Sequence, residues 1–287
     1  MKIGFIGAGK AGCSLGKYFS GKATKANIQV SGYYSLIEEE ARWAAEFTCS
    51  TYFGNIEDVI AASDILILST PDGAIKNVWE TIKKDNIKGK VFCHLSGSLS
   101  SDVFSGIEEY GAYAISIHPM FAFSDKESVY TQLKDVRFTL EGDAYAVSLW
   151  KSIFAKLRNE AIEISKDVKP KYHAAASILS NHVVAVLNAG YHLLTECGFG
   201  DIEARQFSKM LVTNNLEHVI DTGCVSALTG PIERGDTETV KKHLEVMDKE
   251  TKDLYRVCGL ELVRIAKTKN PDRNYIEIEK ILDKERI

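Results

Sequence analysis

Three groups of residues in this chain have types and spacings suited to chemistry. The first is Gly7-Ala8-Gly9-Lys10-Ala11-Gly12, which follows the apolar run Ile3–Ile6 and precedes a helical pattern through Leu15, Tyr18 and Phe19. In a strand-turn-helix of this kind Gly7 makes the tight turn, Gly9 lets backbone approach a pyrophosphate, and Gly12 lets the helix pack close to the sheet. The phosphates would sit on unpaired N–H groups at the helix N-terminus, where the helix dipole favours negative charge. Thr70 and Pro71, at the end of another apolar run, would border the same dinucleotide, while Asp72 is expected to cap the helix that follows.

The second group is Ser96-Gly97-Ser98 with His118-Pro119-Met120, each placed at the end of an apolar strand. Strand C-termini in a doubly wound sheet face the crevice where ligands bind, so Ser96, Ser98 and His118 are expected near the reacting end of the dinucleotide. A neutral histidine there exchanges a proton with a reacting oxygen. The third group is a polar stripe, His173, Ser177 and Asn181 at i, i+4 and i+8, continued by Asn188 and His192 on an otherwise apolar helix over Lys171–Cys197. Such a helix is expected to be buried, with its stripe facing a substrate cleft or satisfied backbone. The loop Thr229–Asp236 adds Arg234, suited to holding a carboxylate or phosphate. Its Gly230 and Pro231 build a turn, and Asp236 caps the next helix.

The elements that must position these residues are legible as alternating apolar strands and helices. Strands are expected over Ile28–Tyr34, Thr51–Phe53, Ile65–Ser69, Val91–Leu95, Tyr113–Ile117, Val136–Leu140 and Ala161–Ile164. Helices are expected over Glu38–Phe47, Ile56–Ala62 and Tyr145–Leu157, with a helical stretch around Asp102–Tyr110. That alternation argues for a parallel sheet covered on both faces. After Ser165 the pattern is helix without strand: Gly198 and Gly200 stop the long helix, Asp201 is placed to cap the next, and Leu254–Ala266 forms another. The charged C-terminal stretch reads as solvated. The expected domains are residues 1–165, binding the dinucleotide, and residues 166–287, helical, for substrate and dimerisation.

The 287 residues carry a net charge of −4, which gives no electrostatic reason for nucleic acid or an anionic membrane as partner. The longest apolar runs, Ile65–Leu68 and Val183–Leu187, are too short to span a bilayer, and the glycine turn stands where a signal peptide needs an unbroken apolar stretch. A cytoplasmic protein is expected. The six cysteines show no CxxC and no pairing with closely spaced histidines, so no metal site is expected. Where an NAD site places an acid, about twenty residues beyond the glycines, the chain has Gly32-Tyr33-Tyr34-Ser35-Leu36. Ser35 is suited to a 2′-phosphate, although Leu36 stands in the expected arginine's place and Arg42 lies a turn or more away. NADP is therefore preferred over NAD.

Together the glycine fingerprint, Ser96-Gly97-Ser98, His118-Pro119-Met120, the run from Lys171-Tyr172-His173 through Asn181, and Leu228–Asp236 resemble Rossmann-like oxidoreductases that carry a helical C-terminal domain of unknown function. More distantly the chain is similar to pyrroline-5-carboxylate reductase, ketopantoate reductase and prephenate dehydrogenase. The resemblance implies a Rossmann-like sheet, a second helical domain of the 6-phosphogluconate-dehydrogenase C-terminal type, an NAD(P) cofactor and a homodimer built through the helices. Ser96 or Ser98 and His118 match the serine and His-Pro histidine that hold the reacting hydroxyl in prephenate dehydrogenases. Lys171, His173 and Asn181 are candidates for the lysine and asparagine of 6-phosphogluconate-dehydrogenase-like enzymes, but ten residues separate Lys171 from Asn181, so His173 is the candidate to replace the lysine. The expected activity is hydride transfer between NADP(H) and a small carbonyl, imine or alcohol, with a carboxylate if Arg234 reaches the substrate. Alternatives are a nonenzymatic dinucleotide sensor and a deazaflavin-dependent oxidoreductase.

Overall fold

The computed structural model describes residues 1–283, excluding the side chains of residues 23–25. The chain divides into two compact units, Met1–Ser180 and Asn181–Ile287.

The first unit is built on eight strands: β1 (Lys2–Ile6), β2 (Gln29–Tyr34), β3 (Thr51–Tyr52), β4 (Ile65–Leu68), β5 (Val91–His94), β6 (Tyr113–Pro119), β7 (Phe138–Gly142) and β8 (Ala161–Glu163). They lie in the order β3-β2-β1-β4-β5-β6-β7-β8, so the direction of winding reverses at β1. Helices α1 (Lys10–Ala26), α2 (Glu38–Thr48), α3 (Ile56–Ala61), α4 (Asp72–Thr81) and α5 (Ala144–Leu157) cover the sheet. Alternate residues of one strand feed opposite faces: Ile3, Phe5, Ile65 and Ile67 pack with Phe19, Ala44 and Trp150, whereas Ile6, Leu66 and Leu68 pack with Ile75, Trp79 and Phe104. Burial on both sides is why these strands read as unbroken apolar runs.

Two details differ from the sequence expectation. The stretch around Asp102–Tyr110 forms two 3₁₀ turns, Ser101–Val103 and Ile107–Tyr110, rather than a helix. The strand pairs are parallel except β6–β7, which is antiparallel with His118 opposite Thr139, so that β7 and β8 both run against the rest. The β6–β7 connection carries only the 3₁₀ segment Val129–Asp135, and a strand returning without a crossover helix pairs antiparallel. Buried Asn159 pins that connection: its amide donates to the carbonyls of Leu133 at 2.7 Å and Val136 at 2.9 Å, and its Oδ1 accepts from Tyr18 Oη at 2.6 Å.

The first unit ends with α6 (Lys169–Ser177), whose Pro170 occupies the first turn, where a missing N–H does no harm. A π-helical turn over Ile178–His182 follows, then α7 (Val183–Glu196). The long helix expected over Lys171–Cys197 is thus broken by a widened turn, and its polar stripe does not keep one period.

The second unit comprises α7, α8 (Asp201–Thr222), the short α9 (Cys224–Ala227) and α10 (Pro231–Arg234), α11 (Thr237–Val246), α12 (Lys249–Lys269) and α13 (Ile276–Asp283). Its core gathers Ile232, Val240, Leu244, Val263, Tyr275 and Ile278. Asp236 caps α11 as expected, accepting from the Thr239 N–H at 3.0 Å. Asp201 does not cap α8: Gly200 takes that position and donates its N–H to Glu203, leaving Asp201 in the first turn, where the dipole still favours it. The charged end is not simply solvated, because Ile278, Ile281 and Leu282 on one face of α13 are buried; residues beyond 283 lie outside the described chain. The expected burial of α7 is not met within this single chain: none of its residues is buried, and Val184 and Val186 are exposed. No helix among the described residues is long and apolar enough to cross a membrane.

Replacing Asn159 with leucine should leave two carbonyls and the Tyr18 hydroxyl unpaired in the interior, destabilising the protein by about 2–4 kcal/mol. Urea unfolding of the variant measures this, and a loss below about 1 kcal/mol would show that the connection is held by other means.

Candidate active site

Register places the candidate residues in one line. Parallel pairing sets Ile6 beside Leu68, Leu68 beside His94, and His94 beside Ser116, forming a row across β1, β4, β5 and β6. Two residues beyond that row on each chain segment stand Ala8, Thr70, Ser96 and His118. Positions scattered through the first 118 residues therefore share one sheet edge, about 14 Å long at ~4.8 Å per strand.

At the β1 end, Gly7 has φ 106° and donates its N–H to the Tyr34 carbonyl at 2.7 Å. A side chain at Gly12 would place Cβ 2.3 Å from Ser69 Oγ, so α1 rests directly on the β4 terminus there. At Gly9 the only atom of the described residues within 4 Å of such a Cβ is the Ser69 carbonyl oxygen, at 3.8 Å. The space above the turn is open, and the first turn of α1 contains no acid. Lys10 is exposed, Ala11 half-buried and Ala8 buried. Thr70 Oγ1, next to the turn, is buried without a hydrogen-bond partner, and Pro71 leads into α4. An open cradle, the free N–H groups of a helix start and a first turn without an acid fit the pyrophosphate of a dinucleotide. At the end of β2, Ser35 Oγ accepts the Ile37 N–H at 3.3 Å, and Leu36 is 90% exposed. Arg42 is paired with Glu38 and lies over the Tyr52 ring.

At the β5 end the structure corrects the expected role of Asp72. It occupies the first position of α4 without capping it, and its carboxylate accepts from Ser96 Oγ at 2.5 Å and from Ser98 Oγ at 3.3 Å. Ser96 Oγ in turn accepts the N–H groups of Ser98 and Leu99. One donor and two acceptor sites exhaust a hydroxyl, so Ser96 shapes the loop rather than offering its oxygen. Buried His94 completes the turn by accepting the Ser96 N–H on Nδ1 and donating from Nε2 to the Ser100 carbonyl. Burial pushes its pKa down to about 4, so the ring is neutral.

His118 is arranged differently. Its Nδ1 shares a 2.7 Å hydrogen bond with Tyr172 Oη. Its Nε2 borders Gly97, where an added Cβ would fall 2.9 Å from it and 2.5 Å from His173 Nδ1. The two imidazoles stand at 90° with centroids 5.9 Å apart, and His173 Nδ1 is buried without a hydrogen-bond partner. Gly97 is therefore the residue that lets both nitrogens approach one point. Burial first, then the charges of Lys169 and His173, push the His118 pKa down to about 4. Burial also raises that of Tyr172.

Sequence reasoning passed over Lys169 in favour of Lys171, which is exposed. Lys169 is 1% exposed, and its Nζ donates to Ser116 Oγ at 2.7 Å and to the Ser96 carbonyl at 3.2 Å. Burial pushes its pKa down to about 8, against the pull of Glu141 and Asp72. The available signal was its spacing one turn ahead of His173, obscured by the adjoining Pro170. Ser177 closes α6; Asn181 lies on the π-helical turn; and Arg234 is exposed at the end of α10. The latter two belong to the second unit.

Comparison with known proteins agrees with this architecture. Residues 1–119 match the model of a Rossmann-like domain, and residues 136–262 match that of a domain of unknown function, DUF2520. Among curated proteins none matches the chain. The structure is similar to that of protein TM1727 from Thermotoga maritima, with 26% identity, coverage of 93% of this chain and 99% of the other, and a TM-score of 0.71. It is similar to the proposed NADP oxidoreductase BF3122 from Bacteroides fragilis, with 22% identity, coverage of 92% and 98%, and a TM-score of 0.72. It is also similar to a Plasmodium falciparum pyrroline carboxylate reductase solved with NADP bound, with 16% identity, coverage of 94% and 97%, and a TM-score of 0.60. The chain thus joins a Rossmann-like domain to a helical DUF2520 domain.

Proposed function

We propose that this chain is an NADP(H)-dependent oxidoreductase acting on a small carbonyl, imine or alcohol. The observation that carries this reading is His118: one ring nitrogen is tied to Tyr172, while the other borders the same point as the unpartnered His173 Nδ1. The likeness to a reductase solved with NADP bound supports the cofactor. The cradle at Gly7–Gly12 would hold the pyrophosphate, Ser35 would meet the 2′-phosphate, and Thr70 and Pro71 would border the cofactor. A bound NADP(H) supplies the hydride chemistry.

The proton then falls to His118. When an alcohol or amine is oxidised, the neutral ring accepts the proton on Nε2 and donates from Nδ1 to the Tyr172 oxygen. In reduction the movement reverses: the ring, protonated on both nitrogens, delivers the Nε2 proton to the substrate oxygen or nitrogen and is left neutral, its Nδ1–H still donated to the Tyr172 oxygen. His173 Nδ1 supplies a second polar contact for the same atom. Ser96, Ser98 and Asp72 keep the intervening loop in place.

We also propose that the protein is a homodimer. On α7 and α8 the side chains of Val184, Val186, Phe207, Met210, Leu211 and Ile220 are exposed, and an apolar surface of that kind calls for cover.

His118→Asn should lower turnover about 10²–10⁴-fold while leaving cofactor affinity near the wild-type value. Gly9→Val should do the reverse at the other end of the edge, abolishing dinucleotide binding in calorimetry with the fold intact. A metabolite screen that follows NADPH oxidation supplies the substrate for the first measurement; a binding-competent protein with no turnover on any carbonyl or imine would favour the sensor instead. Light scattering should give the mass of two chains at micromolar concentration, and a monomer there would overturn the dimer.

A further inference from the structure

We propose that Lys169 is a positioning residue whose buried ammonium, seated between the Ser96 carbonyl and the Ser116 hydroxyl, opposes protonation of His118. This rests on the reading that His118 carries the proton. The geometry comes from two periodicities. Ser116 and His118 are two apart on β6 and so share one face of the strand. Lys169 and His173 are four apart on α6 and so share one face of the helix. The ammonium is bound at Ser116 at 2.7 Å, on the face of β6 that carries the imidazole.

Other charged and titratable groups do not cancel its effect. Asp72 on α4, bonded to Ser96 and Ser98, acts on His118 in the opposite sense but more weakly than Lys169, and Glu141 on β7 accepts from the N–H and hydroxyl of Ser101 at 2.8 Å each. Neither carboxylate contacts Lys169 among the described residues. His94 on β5 is neutral, Tyr172 donates to or accepts from His118 Nδ1, and His173 adds no hydrogen bond at Nδ1. Lys169 is the buried cation facing His118, and a positive charge in an interior of low dielectric disfavours a second one nearby. Its effect on His118 acts in the same sense as burial.

The test is the titration of His118 in protein labelled at histidine, followed by NMR, with His118→Asn used to assign the signal. Lys169→Met removes both charge and hydrogen bonds; Lys169→Gln keeps a donor for the Ser96 carbonyl and removes the charge alone. In both, the midpoint should rise from about 4 by about one pH unit or more. Lys169→Arg should restore it, and Lys171→Met, which removes an exposed charge from the same helix, should leave it unchanged. In the proposed oxidation direction, the acid limb of kcat/KM should move up with the midpoint, because protonation fills the lone pair that accepts the proton. A folded Lys169→Gln variant with an unshifted His118 midpoint overturns the proposal. Because the titration needs neither cofactor nor substrate, that outcome is distinct from a failure of the His118 assignment, which His118→Asn turnover decides.

Discussion

The Lys169 ammonium lies in the interior with no contacting carboxylate among the described residues, and a charge so placed is held only if fixed dipoles replace its water. The carbonyl of Ser96 and the hydroxyl of Ser116 take that role. They do so because parallel pairing sets His94, two residues before Ser96, beside Ser116. The carbonyl stays in place because the Ser96 hydroxyl is tied to Asp72 at the start of α4 and its N–H to His94. One charge thereby links α4, β5, β6 and α6 into a single polar assembly. Its solvation is incomplete, since burial still pushes its pKa down to about 8. Groups held at such expense concentrate where chemistry needs them.

The parallel sheet supplies the other half of the geometry. Strands that run the same way deliver all their C-terminal ends to one edge, so the glycine turn after β1, Thr70 after β4, Ser96 after β5 and His118 in β6 line up without any of them being near in sequence. The reversal of winding at β1 puts helices α1 and α4 on opposite faces and leaves the edge between them open to a ligand. Antiparallel β7 does not disturb this row. It lies beyond β6 and brings Glu141 towards the Ser101 turn.

What the sequence made legible was whatever depends on short-range pattern. Continuous apolar runs revealed the strands, because each feeds both faces of the sheet. The glycine spacing revealed the turn, and His118 stood out as a polar residue at a strand end. Roles that depend on a partner far along the chain were hidden. Asp72 has the form of a helix cap, and only the fold brings Ser96 and Ser98, more than twenty residues later, onto its carboxylate. Lys169 precedes a proline and looks like a loop residue until α6 begins there. The π-helical turn at Ile178–His182 has no counterpart in a hydrophobicity pattern read at 3.6 residues per turn. The apolar character of α7 was read correctly, but apolarity alone does not say whether its cover comes from the same chain.

The two ends of the edge differ electrostatically, and the difference bears on which reading of the site is stronger. At β1 the binding surface is backbone: N–H groups and a helix dipole, without an acid in the first turn, which suits a ligand that brings its own negative charge. At β6 the groups are imidazoles, a phenol and a buried ammonium, with His118 and His94 held neutral by burial. A protein that only reported dinucleotide binding would gain from the first end alone. Burying Lys169 and half-burying His118 and His173 at the other end sacrifices solvation and leaves the buried His173 Nδ1 without a partner, a penalty of about 1–3 kcal/mol. A reacting oxygen or nitrogen placed between His118 and His173 would supply the missing partner. That unmet bond favours a substrate beside the cofactor over a site that binds the cofactor alone.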